Sequence, residues 1–320
     1  MRSKPLICPP KLTAGSRIAL IAPAGPLLER DDLVRAEALC RALGYEPILG
    51  KNAYSRLGYL AGSDDDRLSD LNWALQDSSI GAIWCLRGGY GVTRILHRVD
   101  YQAMARQPKP LIGFSDISAL LNAVTARTAV VTFHGPVARA AMPEFSRWHF
   151  ERVLTRTDAA GRLGRLPQPA DVLVPQEHRL VTLHGGIAEG PLFGGNLTLL
   201  QCLIGTPWFP NLNGAILFLE DVGEQLYRVD RSLAHLRAVG ALDRLAGVVI
   251  GRFTELDRAG RDGALGFDQV LATYFAPLSI PLAYGFPIGH IDAQWTLPLG
   301  VRARLDARAC DLELLEPAVG

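Results

Sequence analysis

Short apolar runs alternate with helically spaced stretches through the first part of this chain, and that alternation limits its possible folds more than any other feature. Arg17-Ile18-Ala19-Leu20-Ile21-Ala22-Pro23 reads as a buried parallel strand ending in a turn. Residues 31–43 follow with helical spacing, and Gly44 stops them as a C-cap. A second strand is expected at 46–49. Ser63 then caps a helix running to Leu75, with Asp64, Asp65 and Asp66 in the first turn, where acids favour the helix dipole. Further strands are expected at 82–86, 111–114 and 130–133. The pattern predicts an α/β fold whose first domain, residues 1–141, is a doubly wound parallel sheet.

The character shifts over residues 142–181. Gly161-Arg162-Leu163-Gly164-Arg165-Leu166-Pro167-Gln168-Pro169 has turn residues and no sustained period, which reads as an interdomain linker. Residues 182–320 form a second, β/α domain with strand-like segments at 192–193, 215–219, 246–250 and 303–315. Helices are expected between them at 197–203, 232–239 and 267–274. The 320 residues are long enough for two cores, and 48% apolar with 20% charged residues is a globular composition. A net charge of +1 gives no global attraction to nucleic acid or anionic lipid, so neither partner is expected. Cys8, Cys40, Cys85, Cys202 and Cys310 are scattered without a C-x-x-C pair, which argues against a zinc knuckle or disulfide framework and for a reducing cytoplasm. The run Ile18 to Ala22 is too short for a signal h-region or a membrane span.

Three segments carry candidate chemistry. Ser115 follows Gly113-Phe114 where a strand gives way to an amphipathic helix, a corner that exposes its hydroxyl beside the helix's positive end. Ile117 stands where a G-x-S-x-G elbow has its second glycine, and an N-cap serine is the alternative reading. Arg87-Gly88-Gly89-Tyr90-Gly91 follows another strand, and its glycines leave N–H groups uncovered for an oxyanion or phosphate. Glu220 comes immediately after the strand at 215–219, at the end where α/β folds place catalytic groups. His290, in Gly285-Phe286-Pro287-Ile288-Gly289-His290, has the most constrained setting of the seven histidines. His134 and His184 border glycines as lesser candidates, whereas His97, His149, His178 and His235 read as surface residues. A nucleophile, an acid and a base in the order Ser, Glu, His make the parts list for acyl transfer. No H-E-x-x-H or other ligand spacing suggests a metal, and no cofactor is expected.

With these segments the chain resembles the LD-carboxypeptidase family of serine peptidases, the muramoyltetrapeptide carboxypeptidases, whose relatives include the microcin C self-immunity proteins. The likeness covers Ile21-Ala22-Pro23, Tyr59-Leu60-Ala61-Gly62-Ser63-Asp64, Arg87 to Gly91, Gly113-Phe114-Ser115-Asp116 and His134-Gly135-Pro136. In the second half it covers Glu189 to Leu197, Gly205-Thr206-Pro207, Leu219-Glu220-Asp221 with Tyr227 and Asp230-Arg231, and Gly285 to His290. The resemblance implies a Ser115–Glu220–His290 triad shared between a flavodoxin-like first domain and a swivelling-type second domain. It also implies a cytoplasmic homodimer acting on recycled cell-wall peptides. No motif aligns over residues 142–181 or 251–254, regions that shape the cleft in the family.

The expected reaction releases terminal D-alanine from a muropeptide tetrapeptide at an L-D amide bond. Backbone N–H groups of Gly89 and Asp116 are the expected oxyanion donors. Arg87 or Arg228 would pair the terminal carboxylate, and Tyr90 and Asn196, in glycine-rich turns, would line the cleft. One alternative keeps the triad but cleaves an aminoacyl- or peptidyl-nucleotide conjugate, with Trp148 or Trp208 available to stack on a base. Another is a non-catalytic nucleotide- or peptide-binding protein using the glycine loop.

Overall fold

The computed structural model describes residues 5–164, 166–167, 179–256 and 265–320. Strands and helices alternate first as β1 (Arg17–Ile21), α1 (Arg30–Ala42), β2 (Glu46–Leu49), α2 (Asp64–Gln76) and β3 (Ala82–Cys85). The short α3 (Val92–Ile95) and α4 (Tyr101–Arg106) lead to β4 (Leu111–Gly113), α5 (Ile117–Thr128) and β5 (Thr132–His134). The local chemistry agrees with these choices. Ser63 Oγ accepts from the Asp66 N–H at 3.1 Å while Asp66 Oδ2 accepts from the Ser63 N–H at 2.9 Å, a reciprocal cap that fixes where α2 begins. Every residue of β3 is buried, as a strand covered by helices on both faces must be.

The segment expected as a linker lies partly outside the described residues, at 165 and 168–178, which include His178. Its described part contains α6 (Glu144–Leu154) and β6 (Gly161–Arg162). The amphipathic turns of α6 bury Phe150, Val153 and Leu154, a helical period the sequence reading did not register. The second half continues with β7 (Val181–His184), β8 (Ile187–Asn196), α7 (Leu197–Cys202), β9 (Ile216–Val222), α8 (Leu226–Ala238) and β10 (Gly247–Thr254). It closes with α9 (Phe267–Phe275), β11 (Leu282–Tyr284), β12 (Leu297–Leu299), β13 (Arg302–Asp306) and β14 (Asp311–Leu314).

Among the described residues one sheet has the order β12-β5-β4-β3-β1-β2 and the other β6-β14-β13-β8-β9-β10-β11-β7. From β2 to β5 the first sheet is parallel, with the flavodoxin-like order and a switch point between β1 and β3. There the loops after the two strands meet, and the Gly25 N–H donates to Gly88 O at 3.1 Å. The second sheet is mixed, with β8 to β11 parallel and its flanks antiparallel. The expected two-domain α/β architecture is therefore observed.

Two crossings tie the halves together. After β11 the chain leaves the second sheet and adds β12 antiparallel to β5, pairing Leu297 with His134. In addition, Asn122 Nδ2 on α5 donates to Ser118 O and to Gly194 O of β8, each at 2.8 Å. Several boundaries differ from expectation. β9 runs on through Glu220 to Val222, because β10 continues beside it and pairs Phe253 with Asp221. α8 begins at Leu226, well before residue 232, and the run 303–315 is a hairpin of two strands.

Candidate active site

The corner that carries Ser115, the expected nucleophile, is built by the step from β4 to α5. Ser115 has φ 65°, in the left-handed region that costs an ordinary side chain about 1 kcal/mol or more. Ser115 is not the N-cap of α5. Asp116 occupies the cap position, with no side-chain cap of its own, and Ser115 Oγ lies 2.9 Å from His290 Nε2. Gly88 approaches so closely that a Cβ there would stand 2.6 Å from Ser115 Cβ and 3.3 Å from the Asp116 nitrogen. Only glycine lets the loop after β3 lie against the serine in this way.

The expected base and acid, His290 and Glu220, come from the other half. Glu220, on β9, is fully buried, and its Oε2 lies 2.8 Å from His290 Nδ1. Gly289 has φ 112°, and a Cβ on it would meet Glu220 Oε2 at 2.6 Å, so the close pairing of carboxylate and imidazole depends on that glycine. His290 lies on the loop that crosses from β11 in one sheet to β12 in the other. This connection brings an imidazole from the C-terminal segment to the end of β4. α6 steadies the same loop: Ser146 Oγ donates to Asp292 O at 3.1 Å and accepts from the Gln294 N–H at 2.9 Å. Phe114 packs edge-on against the His290 ring at 4.8 Å between centroids.

Burial alone would raise the Glu220 carboxyl, but the imidazoles of His134 and His290 outweigh it and hold the group down at about 2. Glu220 is thus a carboxylate throughout the neutral range. An Nδ1–H donated to it leaves Nε2 free to accept the Ser115 proton, the tautomer a general base needs. His134 is the residue that sequence reasoning ranked too low. It is fully buried, and its Nε2 lies 3.7 Å from Glu220 Oε1, beyond hydrogen-bond length but well within electrostatic reach. Its position in His134-Gly135-Pro136, directly after a strand, was the available signal.

The remaining predicted residues separate into groups. Gly89 (φ 119°) is on the exposed turn of the loop against Ser115, and Tyr90 beside it is half exposed, edge-on to Tyr59 at 5.6 Å. Arg87 Nη1 donates to Pro26 O at 2.6 Å, and burial together with the neighbouring Arg139 guanidinium lowers its proton affinity. Asn196 is buried, with its amide engaged: Nδ2 donates to Asp221 Oδ1 at 2.8 Å and Oδ1 accepts from the Leu199 N–H at 3.1 Å. Arg228 projects from α8 toward Glu224 at 3.8 Å and the Tyr227 hydroxyl at 3.3 Å. Among the other histidines, His97 and His235 are exposed as expected, but His149 is fully buried against Trp148 and Trp295. Its place on the apolar face of α6, a helix not foreseen, is the reason. Among the described residues no cluster of three or more His, Cys, Asp or Glu side chains could hold a metal, and no helix is long and apolar enough to cross a membrane.

This arrangement has counterparts. Residues 18–135 match the model of the LD-carboxypeptidase N-terminal domain and residues 189–305 that of the LD-carboxypeptidase C-terminal domain. The murein tetrapeptide carboxypeptidase of Pseudomonas aeruginosa is 36% identical over 91% of this chain and 93% of its own length. The crystal structure of muramoyltetrapeptide carboxypeptidase from Oxalobacter formigenes superposes with a TM-score of 0.78 at 31% identity, covering 93% of this chain and 98% of that one. The structure of MccF in complex with glutamyl sulfamoyl guanosine gives a TM-score of 0.89 at 25% identity, over 99% of this chain and all of that one. Matched in both halves and over nearly its full length, the chain belongs to the LD-carboxypeptidase family of serine-type hydrolases.

Proposed function

We propose that this enzyme is a serine carboxypeptidase that releases terminal D-alanine from muropeptide tetrapeptides by cleaving the L-D amide bond. The supporting observation is the relay Ser115 Oγ–His290 Nε2 at 2.9 Å and His290 Nδ1–Glu220 Oε2 at 2.8 Å, drawn from both halves. His290 accepts the Ser115 proton as Oγ attacks the carbonyl carbon, and Glu220 stabilises the imidazolium. The N–H groups of Gly89 and Asp116 receive the oxyanion. His290 then returns the proton to the departing D-alanine nitrogen, leaving an acyl-enzyme that water hydrolyses by the reverse path.

An exopeptidase needs a cation for the terminal carboxylate, and Arg87 suits that role better than Arg228. Arg87 adjoins Gly88 beside Ser115, makes no ion pair among the described residues, and feels a second cation, Arg139, more strongly than the Asp32 carboxylate. Asp32 offsets only part of the repulsion between the two guanidiniums, and a bound anion would relieve the rest. Arg228 is already engaged with Glu224 on the surface. Tyr90 forms the outer rim of the cleft, and Asn196 acts from behind by fixing α7 to β9. Five thiols without a disulfide fit a reducing cytoplasm, where we place the enzyme as a homodimer working on recycled wall peptides.

The close superposition on MccF bound to glutamyl sulfamoyl guanosine favours one second reading, cleavage of an aminoacyl-nucleotide conjugate by the same relay. Incubating the purified enzyme with tetrapeptide and, separately, with an aminoacyl sulfamoyl nucleoside decides between them. Free D-alanine and tripeptide are expected. Hydrolysis of the nucleoside conjugate with the tetrapeptide left intact would reverse the assignment.

A further inference from the structure

One peptide group in the glycine loop is held from both sides by buried charges. Its carbonyl, that of Gly91, accepts from Arg67 Nη1 at 2.9 Å, and its N–H, that of Val92, donates to Asp116 Oδ2 at 2.9 Å. Arg67 and Asp116 are only 1% and 2% exposed. The same Arg67 nitrogen donates to Pro23 O at 2.6 Å, in the loop after β1, and its Nη2 pairs with Asp64. Arg94 in turn binds Asp64 from the surface, with Nε 2.9 Å from Oδ1. A Cβ on Gly91 would stand 2.9 Å from Arg67 Nη1, so the guanidinium fits only beside a glycine.

Burying a charged pair around one amide is costly unless every group is satisfied, and a helix of one turn does not require it. The geometry offers a reason. Asp116 directly follows Ser115, and its backbone N–H is one of the two oxyanion donors in our reading. The other donor, Gly89, is on the loop that ends at the held peptide. Through its side chain, Asp116 therefore fixes the loop carrying the second donor relative to its own main chain.

We infer that Asp116 and Arg67 are positioning residues that clamp the Gly91–Val92 peptide and so set the spacing and direction of the N–H groups that receive the oxyanion. The clamp rests on the peptidase reading for its catalytic consequence but not for its existence. Without it the loop relaxes, the substrate still binds, and only the developing negative charge loses its donor.

Two measurements on the full chain test this. Amide hydrogen exchange needs no substrate. Protection at Val92 should be present in the wild type, lost in Asp116→Ala and largely restored in Asp116→Asn, whose side-chain oxygen can still accept. In turnover of the tetrapeptide, Asp116→Ala should lower kcat by about 10²-fold with little change in KM, as removal of one oxyanion donor does. Asp116→Asn should recover most of that loss, and Asp116→Ala combined with Arg67→Met should be little worse than either alone, because both act on one peptide. Unfolding midpoints identify any variant that is merely misfolded, and Asp116→Asn and Arg67→Lys keep the test alive if Asp116→Ala is. Unchanged Val92 protection in a folded Asp116→Ala, or a loss confined to KM, overturns the clamp. A wild type that releases no D-alanine overturns the peptidase reading, and the exchange result then decides the clamp by itself.

Discussion

At the residue scale the candidate site leaves little room around the three side chains of the proposed relay. Gly289 is the sharpest case, since a methyl group there would stand 2.6 Å from a Glu220 oxygen. Gly289→Ala should therefore fold but lose about 10²-fold or more in kcat, the usual cost of misplacing a catalytic group by an ångström. Steady-state kinetics beside a circular dichroism spectrum would check it. Glu220→Gln should cost about 10³–10⁴-fold, because an amide can hold the wrong imidazole tautomer. It should also change the acid response. The folded Glu220 carboxyl sits at about 2, below its ordinary 4.5, so its contribution to stability is complete above the ordinary value and disappears as pH falls toward 2. Urea titrations between pH 3 and 7 should show this acid limb in the wild type and a flatter one in Glu220→Gln.

At the scale of elements, α6 does more than connect. Ser146 makes two hydrogen bonds to the loop that carries His290, so Ser146→Ala should lower stability by about 1–2 kcal/mol and reduce kcat with it. Denaturant unfolding and turnover on one preparation would test both. α6 also illustrates what the sequence left unread. Its neighbours at 161–169 are rich in Gly and Pro, and they masked a helix whose apolar face covers the core. The β-α alternation before residue 141 was legible because buried parallel strands are short continuous apolar runs with helices between them. Ser115, Glu220 and His290 were visible for a related reason, since each sits beside glycines or at the end of such a run. β12 was not, because Leu297–Leu299 contains Pro298 and becomes a strand only where β5 offers an open edge. Arg67 and the Asp116 carboxylate could not be ranked, and His134 ranked only as a lesser candidate, since their contacts join segments distant in sequence.

At the scale of the whole molecule, the two halves are interlocked around the site. We propose boundaries near residues 141 and 182, yet the first sheet is completed by β12, from far beyond either. Expressed alone, residues 1–141 would expose the β5 edge and the apolar surface that Leu297 and Leu299 cover. That fragment should aggregate or unfold without a cooperative transition, whereas the full chain should melt in one, as calorimetry would show. The same interlocking lets a hydroxyl from one half meet an imidazole and a carboxylate from the other. The most direct test is D-alanine release from tetrapeptide by the wild type and by Ser115→Ala, prepared identically. The account predicts steady release by the wild type and a fall of roughly 10³-fold or more in the variant; release by Ser115→Ala at the wild-type rate would contradict it.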